Sequence, residues 1–198
     1  MKNSSIIFNA IFLLFLLTVN FQAQTLAPGA PGKDAQWSSA GKQAIGTSAN
    51  TDSKIWFTLQ GGALSEVYYP DVTVANVHLL QFIVVNPTTK KVETERDDAN
   101  HQIKVLRGDS LGFQQINTAK SGKWKITKTY ATDPKRNSVL IDVLFDTNEK
   151  DLALYLYYDP ALNNTGMHDT AWSGGEAFLS QDKNISSALV VSSTFSSS

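Results

Sequence analysis

The chain has 198 residues with 17 basic and 18 acidic side chains, a formal net charge of −1, and no cysteine. That near-balance gives no footing for a nucleic-acid surface, which needs a marked basic excess. The lack of cysteine excludes a disulfide framework, a thiol nucleophile, a lipoprotein anchor and a Cys-ligated zinc.

MKNSS carries one positive charge and leads into an apolar run, Ile6 to Val19. The run has the length of a signal-peptide core and falls short of the roughly 20 apolar residues of a membrane span. Residues 1–23 therefore read as a signal peptide cleaved after Ala23, with Phe21 departing from the small-residue preference at −3. Losing Lys2 leaves 16 basic against 18 acidic residues, a net −2. The expected location is secreted or periplasmic, with no membrane association after cleavage. About 175 residues remain, enough for one good core or one large β unit.

Residues 24–36 contain TLAPGAPGK and read as a flexible lead-in, with the folded unit over 37–198. IWFTLQ and ALSEVYY then flank Gly61-Gly62, a two-residue hairpin signature because both turn residues tolerate positive φ. VHLLQFIVV stops at Asn86-Pro87, and HQIKVL, WKITKTY, VLIDVLF and LALYLYY follow as further strands. Arg107-Gly108-Asp109, Asp133-Pro134-Lys135 and Thr147-Asn148-Glu149 supply turn chemistry between them. In WKITKTY, Trp124, Ile126 and Tyr130 share one face, while Lys125, Thr127 and Thr129 take the other. VLIDVLF is apolar on both faces, which predicts a strand buried on both sides and places the sheet that carries it centrally in a layered sandwich. No long amphipathic helix is legible between Ala35 and Phe195. The expected class is an all-β antiparallel sandwich. ALVVSSTF, Ala188 to Phe195, reads as a fresh strand just before SSS, so the expected unit is incomplete at its C-terminus and a fragment of a longer protein.

Catalytic chemistry is thinly represented. His78, His101 and His168 sit in a strand, at a strand start and in a loop, and no serine lies in a GxSxG elbow. VETERDDANH places Glu93, Glu95, Asp97 and Asp98 near His101, a pattern that fits neither an EF-hand loop nor an HExxH helix and reads as a solvated strand edge. No metal site is assigned and no cofactor is implied. Asp159, Asn163, Asn164 and Asp169 offer oxygens of the kind calcium takes, and equally the backbone bonds of a long ordered loop with Gly166 at positive φ. Glu66, Asp71 and Glu176 are the carboxylates that a glycosidic acid–base pair would draw on, yet nothing marks one as buried, and Glu66 reads as the polar face of its strand.

Aromatics are the remaining resource. Trp37, Trp56, Tyr68, Tyr69, Trp124 and Trp172 can stack on a sugar or fill a core. Tyr68 and Tyr69 are adjacent, so in a strand they point to opposite faces and at most one is core.

IWFTLQGGALSEVYYPDVTVANVHLLQFIVV resembles the opening of the N-terminal β domain of bacterial and archaeal glucoamylases and glucodextranases. TKTYATDPKRNSVLIDVLF is similar to that domain's later strand–turn–strand segment, and YYDPALNNTGMHDTAW to its DP-x-L-N-N-x-G loop. The preamble APGAPGKDAQWSSAGKQAIGTS fits as well, so the likeness runs from Ala27 to Phe195. It implies a β supersandwich that packs on an (α/α)6 barrel of the same parent chain. The parent is then a glucan 1,4-α-glucosidase or a glucodextranase whose two catalytic glutamates lie in the barrel. None of those catalytic residues has a position here. Carried over are turn positions: Gly61, Gly62, Pro70, Asp133, Pro134 and Arg136. Tyr68, Tyr69, Asp71 and Trp172 are the candidates for contact with α-glucan or with the neighbouring domain. The rival readings are a stand-alone carbohydrate-binding or surface-adhesion module, and an enzyme built from the histidines and acids above.

Overall fold

The computed structural model describes residues 25–26, 36–107, 111–174 and 177–193. The expected signal peptide, most of the lead-in, the Gly108-Asp109 turn, Glu176 and residues 194–198 lie outside them. Among the described residues, the strands in chain order are β1 (Thr25–Leu26), β2 (Ala44–Thr47), β3 (Trp56–Gln60), β4 (Ala63–Tyr68), β5 (Ala75–Val85), β6 (Val92–Thr94) and β7 (Ala99–Val105). They continue with β8 (Phe113–Ala119), β9 (Trp124–Thr132), β10 (Val139–Thr147), β11 (Ala153–Pro160), β12 (Thr170–Ser173), β13 (Ala177–Asp182) and β14 (Ile185–Val190). One α-helical turn, α1 (Glu95–Asp98), and a 3-10 turn, Leu162–Asn164, complete the set. No helix among these residues is long and apolar enough to cross a membrane.

Every strand pair is antiparallel. The first sheet runs β11-β5-β4-β3-β2 with β6 also on β5, the second β10-β9-β8-β7, and the third β1-β12-β13-β14. The all-β sandwich expected from the strand spacing is what forms. Local chemistry explains several ends. Asn86 accepts from the amides of Thr88 and Thr89 at 3.0 and 2.8 Å, closing the turn after β5. Asp133 accepts from the Lys135 amide at 2.8 Å and from Arg136 at 3.1 Å, shaping the β9–β10 turn. Thr94 caps α1 by accepting from the Asp97 amide at 3.1 Å.

The core lies between the first two sheets. Phe57, Leu59, Leu64, Val77 and Leu80 of the first meet Phe113 and Tyr130 of the second. Phe57 stacks on Tyr130 with centroids 5.7 Å apart and meets Phe113 edge-on at 6.3 Å. A second cluster joins Val84, Ala99, Ala119, Trp124 and Ile126. Each large side chain so buried is worth about 1.5–3 kcal/mol relative to exposure.

Three strand-level expectations need correction. VLIDVLF is β10, and it forms the edge of the second sheet and is not buried on both sides. Leu140 and Leu144 are each 55% exposed and Val143 36%. Two apolar faces report what a strand can bury, whereas the sheet order decides what covers it. The expected strand at Ala188–Phe195 is displaced: β14 runs Ile185–Val190, because the turn through Lys183, at φ 51°, pairs Asp182 with Ile185. VETERDDANH is not a solvated edge, since Glu93 and Glu95 are 7% and 0% exposed. Glu93 accepts from Trp124 Nε1 at 2.9 Å, Lys91 Nζ at 2.7 Å and Ser121 Oγ at 3.0 Å. Glu95 accepts from the Phe82 amide at 2.6 Å and forms an ion pair with Lys128 at 2.7 Å. Lys128 falls on the same face as Trp124, Ile126 and Tyr130, two residues from each of the last two, and is itself fully buried.

Candidate functional site

The β3–β4 hairpin and the loop behind it gather most of the residues singled out in the sequence. Gly61 and Gly62 take φ of 55° and 78°, and Gln60 pairs with Ala63 directly across them. This double positive φ is the backbone of a tight primed turn, and glycine adopts it without steric cost. The Gly62 carbonyl accepts from Asn117 Nδ2 at 2.7 Å and from Lys128 Nζ at 2.8 Å, so the second sheet grips the turn. A Cβ on Gly62 would lie 2.5 Å from the His101 ring. Gly62→Ala should therefore cost about 1–3 kcal/mol from the backbone alone. A thermal melt checks this, and adding His101→Ala should recover only the part due to the ring.

Phe57 and Val67 pair and face the core, so their neighbours Trp56, Thr58, Glu66 and Tyr68 point to the outer face of the first sheet. There Glu66, only 2% exposed, departs from the solvated strand residue expected. Its Oε1 accepts from Ser38 Oγ and Lys42 Nζ, both at 2.6 Å. Its Oε2 accepts from Thr58 Oγ1 at 2.7 Å and from the Tyr68 hydroxyl at 3.1 Å. Burial by itself raises the Glu66 carboxyl, but the bonds from Lys42, Ser38 and Thr58 together bring it below its ordinary 4.5. The Tyr68 hydroxyl is pushed up to about 12 by burial and by the Glu66 charge. A depressed carboxyl contributes stability that is full above pH 4.5 and is lost as pH falls through the folded value. Glu66→Gln should accordingly flatten the acid limb of the stability–pH curve measured by urea unfolding.

Tyr69 takes the opposite side. Its ring lines an apolar cleft of about 570 Å³ between the sheets, beside Leu64, Val67, Val77 and Ile141. The Tyr69-Pro70 peptide bond is cis. Asp71 is exposed, and its Oδ1 accepts from the Thr73 amide at 2.8 Å and hydroxyl at 2.6 Å, which lowers its carboxyl. It caps the loop. Trp172 belongs to the third sheet, where it borders a shallow depression with His168, Thr170, Gln181 and Lys183. The structure thus brings Tyr68, Tyr69 and Asp71 onto one hairpin end and leaves Trp172 elsewhere.

The other candidates are accounted for by packing. Asn163 and Asn164 take φ of 54° and 68°, and Gly166 of 63°. Asn163 donates to Asp182, Asn164 accepts from the Ala75 amide at 2.6 Å, and Asp169 accepts from the Leu162 amide at 2.8 Å. These are loop-ordering bonds, and among the described residues no group of three His, Asp or Glu side chains is placed to hold a metal. Burial raises the Asp169 carboxyl. His101 contacts Asn117 Oδ1 and the Arg96 carbonyl, and His78 contacts Asp159 and the Gln36 carbonyl. Neither ring engages a hydroxyl. Trp124 is core, 2% exposed. Sequence reasoning missed Lys42 and Lys128, although Lys128 betrays itself by falling on the apolar register of its strand.

A family model described as glucodextranase, domain N, matches residues 27–198. A glucoamylase of Clostridium sp. (strain G0005) is 38% identical over 170 residues, covering 82% of this chain and 24% of that protein. The crystal structure of a bacterial glucoamylase complexed with acarbose matches with a TM-score of 0.68 at 35% identity, over 79% of this chain and 26% of that one. The chain spans about a quarter of the length of these relatives.

Proposed function

The chain belongs to the glucodextranase domain N family, and from that premise we propose that it serves as the non-catalytic N-terminal β domain of an exported α-glucan hydrolase. The observation that carries this reading is the family match over residues 27–198, together with two glucoamylases about four times as long that this chain matches over about a quarter of their length. In this proposal the hydrolysis belongs to a catalytic (α/α)6 barrel of the same parent chain, which releases glucose from starch- or dextran-type chains. The bonding of three buried glutamates and of Asp71, all among the described residues, supports a non-catalytic role for those four. Glu66, Glu93 and Glu95 each spend both oxygens on internal donors, and Asp71 caps its own loop. A general acid or base needs an oxygen free to reach the glycosidic bond or its water.

The hairpin end at Tyr68–Asp71 is the surface we assign to the barrel. It is held by Asn76, whose Nδ2 donates to the Tyr69 carbonyl at 2.7 Å, and by the Tyr69 amide, which donates to the Val74 carbonyl at 3.0 Å. Export to the periplasm or medium rests on the apolar run Ile6 to Val19.

Glucose release from maltooligosaccharides tests the reading, measured for this chain and for the longest open reading frame containing it. Activity confined to the longer protein is the expected result. Release of glucose by this chain alone would overturn it in favour of an enzyme within the β fold. Inactivity of both, together with retardation of this chain in glucan affinity electrophoresis, would replace it with a stand-alone carbohydrate-binding module.

A further inference from the structure

Residues 36–42 cross the outer face of the first sheet as a strap, ahead of β2. Its trailing end is tied by Ser38 and Lys42 to Glu66, and by Ser39, whose Oγ accepts from Gln60 Nε2 at 2.9 Å. Beyond it the Gln43 amide donates to the Leu59 carbonyl at 2.9 Å, which merges the strap into the sheet. The leading end is tied differently. His78 on β5 lies 2.7 Å through Nδ1 from Asp159 Oδ2 on β11, and its Nε2 meets the Gln36 carbonyl. The Trp37 ring stands edge-on to the imidazole, with centroids 5.9 Å apart.

Neither partner of His78 has a proton to give: one is a carboxylate, the other a backbone carbonyl. An imidazole donates from both nitrogens only as the imidazolium, and the neutral ring keeps one donor and turns the other nitrogen into an acceptor. With the ring neutral, the proton stays on Nδ1 against the carboxylate, and Nε2 presents a lone pair to the Gln36 oxygen. That contact changes from attractive to repulsive. The other groups around the ring do not replace the lost donor. From β11, Tyr157 reaches Asp159 with its hydroxyl at 3.5 Å. Asp169 is coupled to Asp159 through space. On β4, a second neighbour of β5, the ionisable side chains Glu66 and Tyr68 are bonded to each other, with Lys42 on the same carboxylate. On β6, which pairs with the far end of β5 at Ile83–Val85, Glu93 is bonded to Lys91, Ser121 and Trp124. Gln36 and Trp37 themselves do not titrate.

We propose that residues 36–42 form a proton-dependent strap, closed over the outer face of the first sheet when His78 carries both ring protons and released at its Gln36–Trp37 end when it carries one. Release uncovers His78 and Asp159 and frees Trp37, while the Glu66 ties hold the trailing end in place. The strap thereby sets how much of the outer face beside Tyr68 is open to a neighbouring domain or ligand. Its state follows proton concentration and needs no glucan, so it stands or falls apart from the domain assignment.

Nuclear magnetic resonance of the full chain tests it at pH 5 and pH 8, the interval over which histidine side chains change charge. The Trp37 indole cross-peak, identified by Trp37→Phe, reports the strap, and the ring nitrogens report the protons on His78. Where both nitrogens carry protons, the indole should show one packed position. Where the ring keeps one proton, the closed population should fall about tenfold, the scale of one hydrogen bond from a charged donor. His78→Asn should hold the indole at its open position throughout. Asp159→Asn should do the opposite: the amide donates to Nδ1, leaving Nε2–H for Gln36, so the strap stays closed at both pH values. A Trp37 signal that does not move in the wild type, or that moves equally in Asp159→Asn, overturns the proposal. Should His78→Asn fail to fold, the wild type and Asp159→Asn decide it alone.

Discussion

Lys128→Met should destabilise the chain by about 3–5 kcal/mol, because it strands a carboxylate in a site that excludes water. Lys128 and Glu95 are both 0% exposed, with Nζ and Oε2 at 2.7 Å. Burial pulls the Lys128 ammonium below the ordinary lysine range, and the Glu95 charge and hydrogen bond pull it back up. The lysine also donates to the Gly62 carbonyl and lies 5.9 Å from the centre of the Phe82 ring. Its removal therefore leaves two acceptors short, one charged. Glu95 further accepts from Asn117 Nδ2 and from the Phe82 amide. Glu95→Leu alone would leave the buried lysine charge unpaired, with only the Gly62 carbonyl to accept from it, and take an acceptor from Asn117 and from the Phe82 amide, at a similar cost. The double variant Glu95→Leu with Lys128→Met removes both charges, and a buried pair replaced by apolar groups is often close to neutral. It should regain most of the loss, less the price of the Asn117 and Phe82 donors. Urea denaturation of the two single variants and the double gives the coupling energy. Strictly additive losses would show that the pair is not a unit.

Phe57→Ala is expected to cost about 3–5 kcal/mol, the range for deleting a large aromatic from a packed core. Phe57 is fully buried and joins the first sheet to Phe113 and Tyr130 of the second. Beneath it, Gly46 on β2 sits so close that a Cβ there would strike the ring itself. Gly46→Ala in the wild-type background should overpack the site and cost about 1–3 kcal/mol. In the Phe57→Ala background the same methyl enters vacated space, so its penalty should vanish or change sign. Residues in contact couple in this way, and distant ones do not. A double-mutant cycle read by thermal or urea unfolding checks it; equal Gly46→Ala penalties in both backgrounds would refute the contact.

Both predictions turn on residues whose roles were unevenly legible. Phe57 announced itself, since it lies in a β-branched and aromatic run that ends on a glycine pair. Lys128 did not. WKITKTY shows Trp124, Ile126 and Tyr130 on one face, and strict alternation puts Lys128 there too, but lysine is seldom fully buried, so the register by itself does not mark it as core. Glu95 was hidden for the same reason in a run of acids. Each is tolerable inside only because the other is there, 33 residues away in the chain. Gln115 and Asn117 concealed β8 likewise, being polar at positions that the second sheet turns inward.

The sequence by itself determined the class and punctuation of this protein. Strand-length apolar segments, the Gly61-Gly62 turn, Asn86-Pro87 and Asp133-Pro134 are local decisions, made by φ preferences and by side chains that bond their own backbone within a few residues. The likeness to glucodextranase domain N was legible for the same reason, because those local segments recur in order. Only the tertiary structure decided which faces were covered. VLIDVLF could serve equally at a centre or an edge, and sheet order placed it at the edge. Glu66 and Glu93 could have faced water, and Lys42 and Trp124 drew them inward. Tyr68 and Tyr69 had to part, but which met Glu66 and which the cleft depended on the second sheet lying against Phe57 and Val67. Burial and charge pairing are set by residues distant in the chain, so no window of sequence contains them.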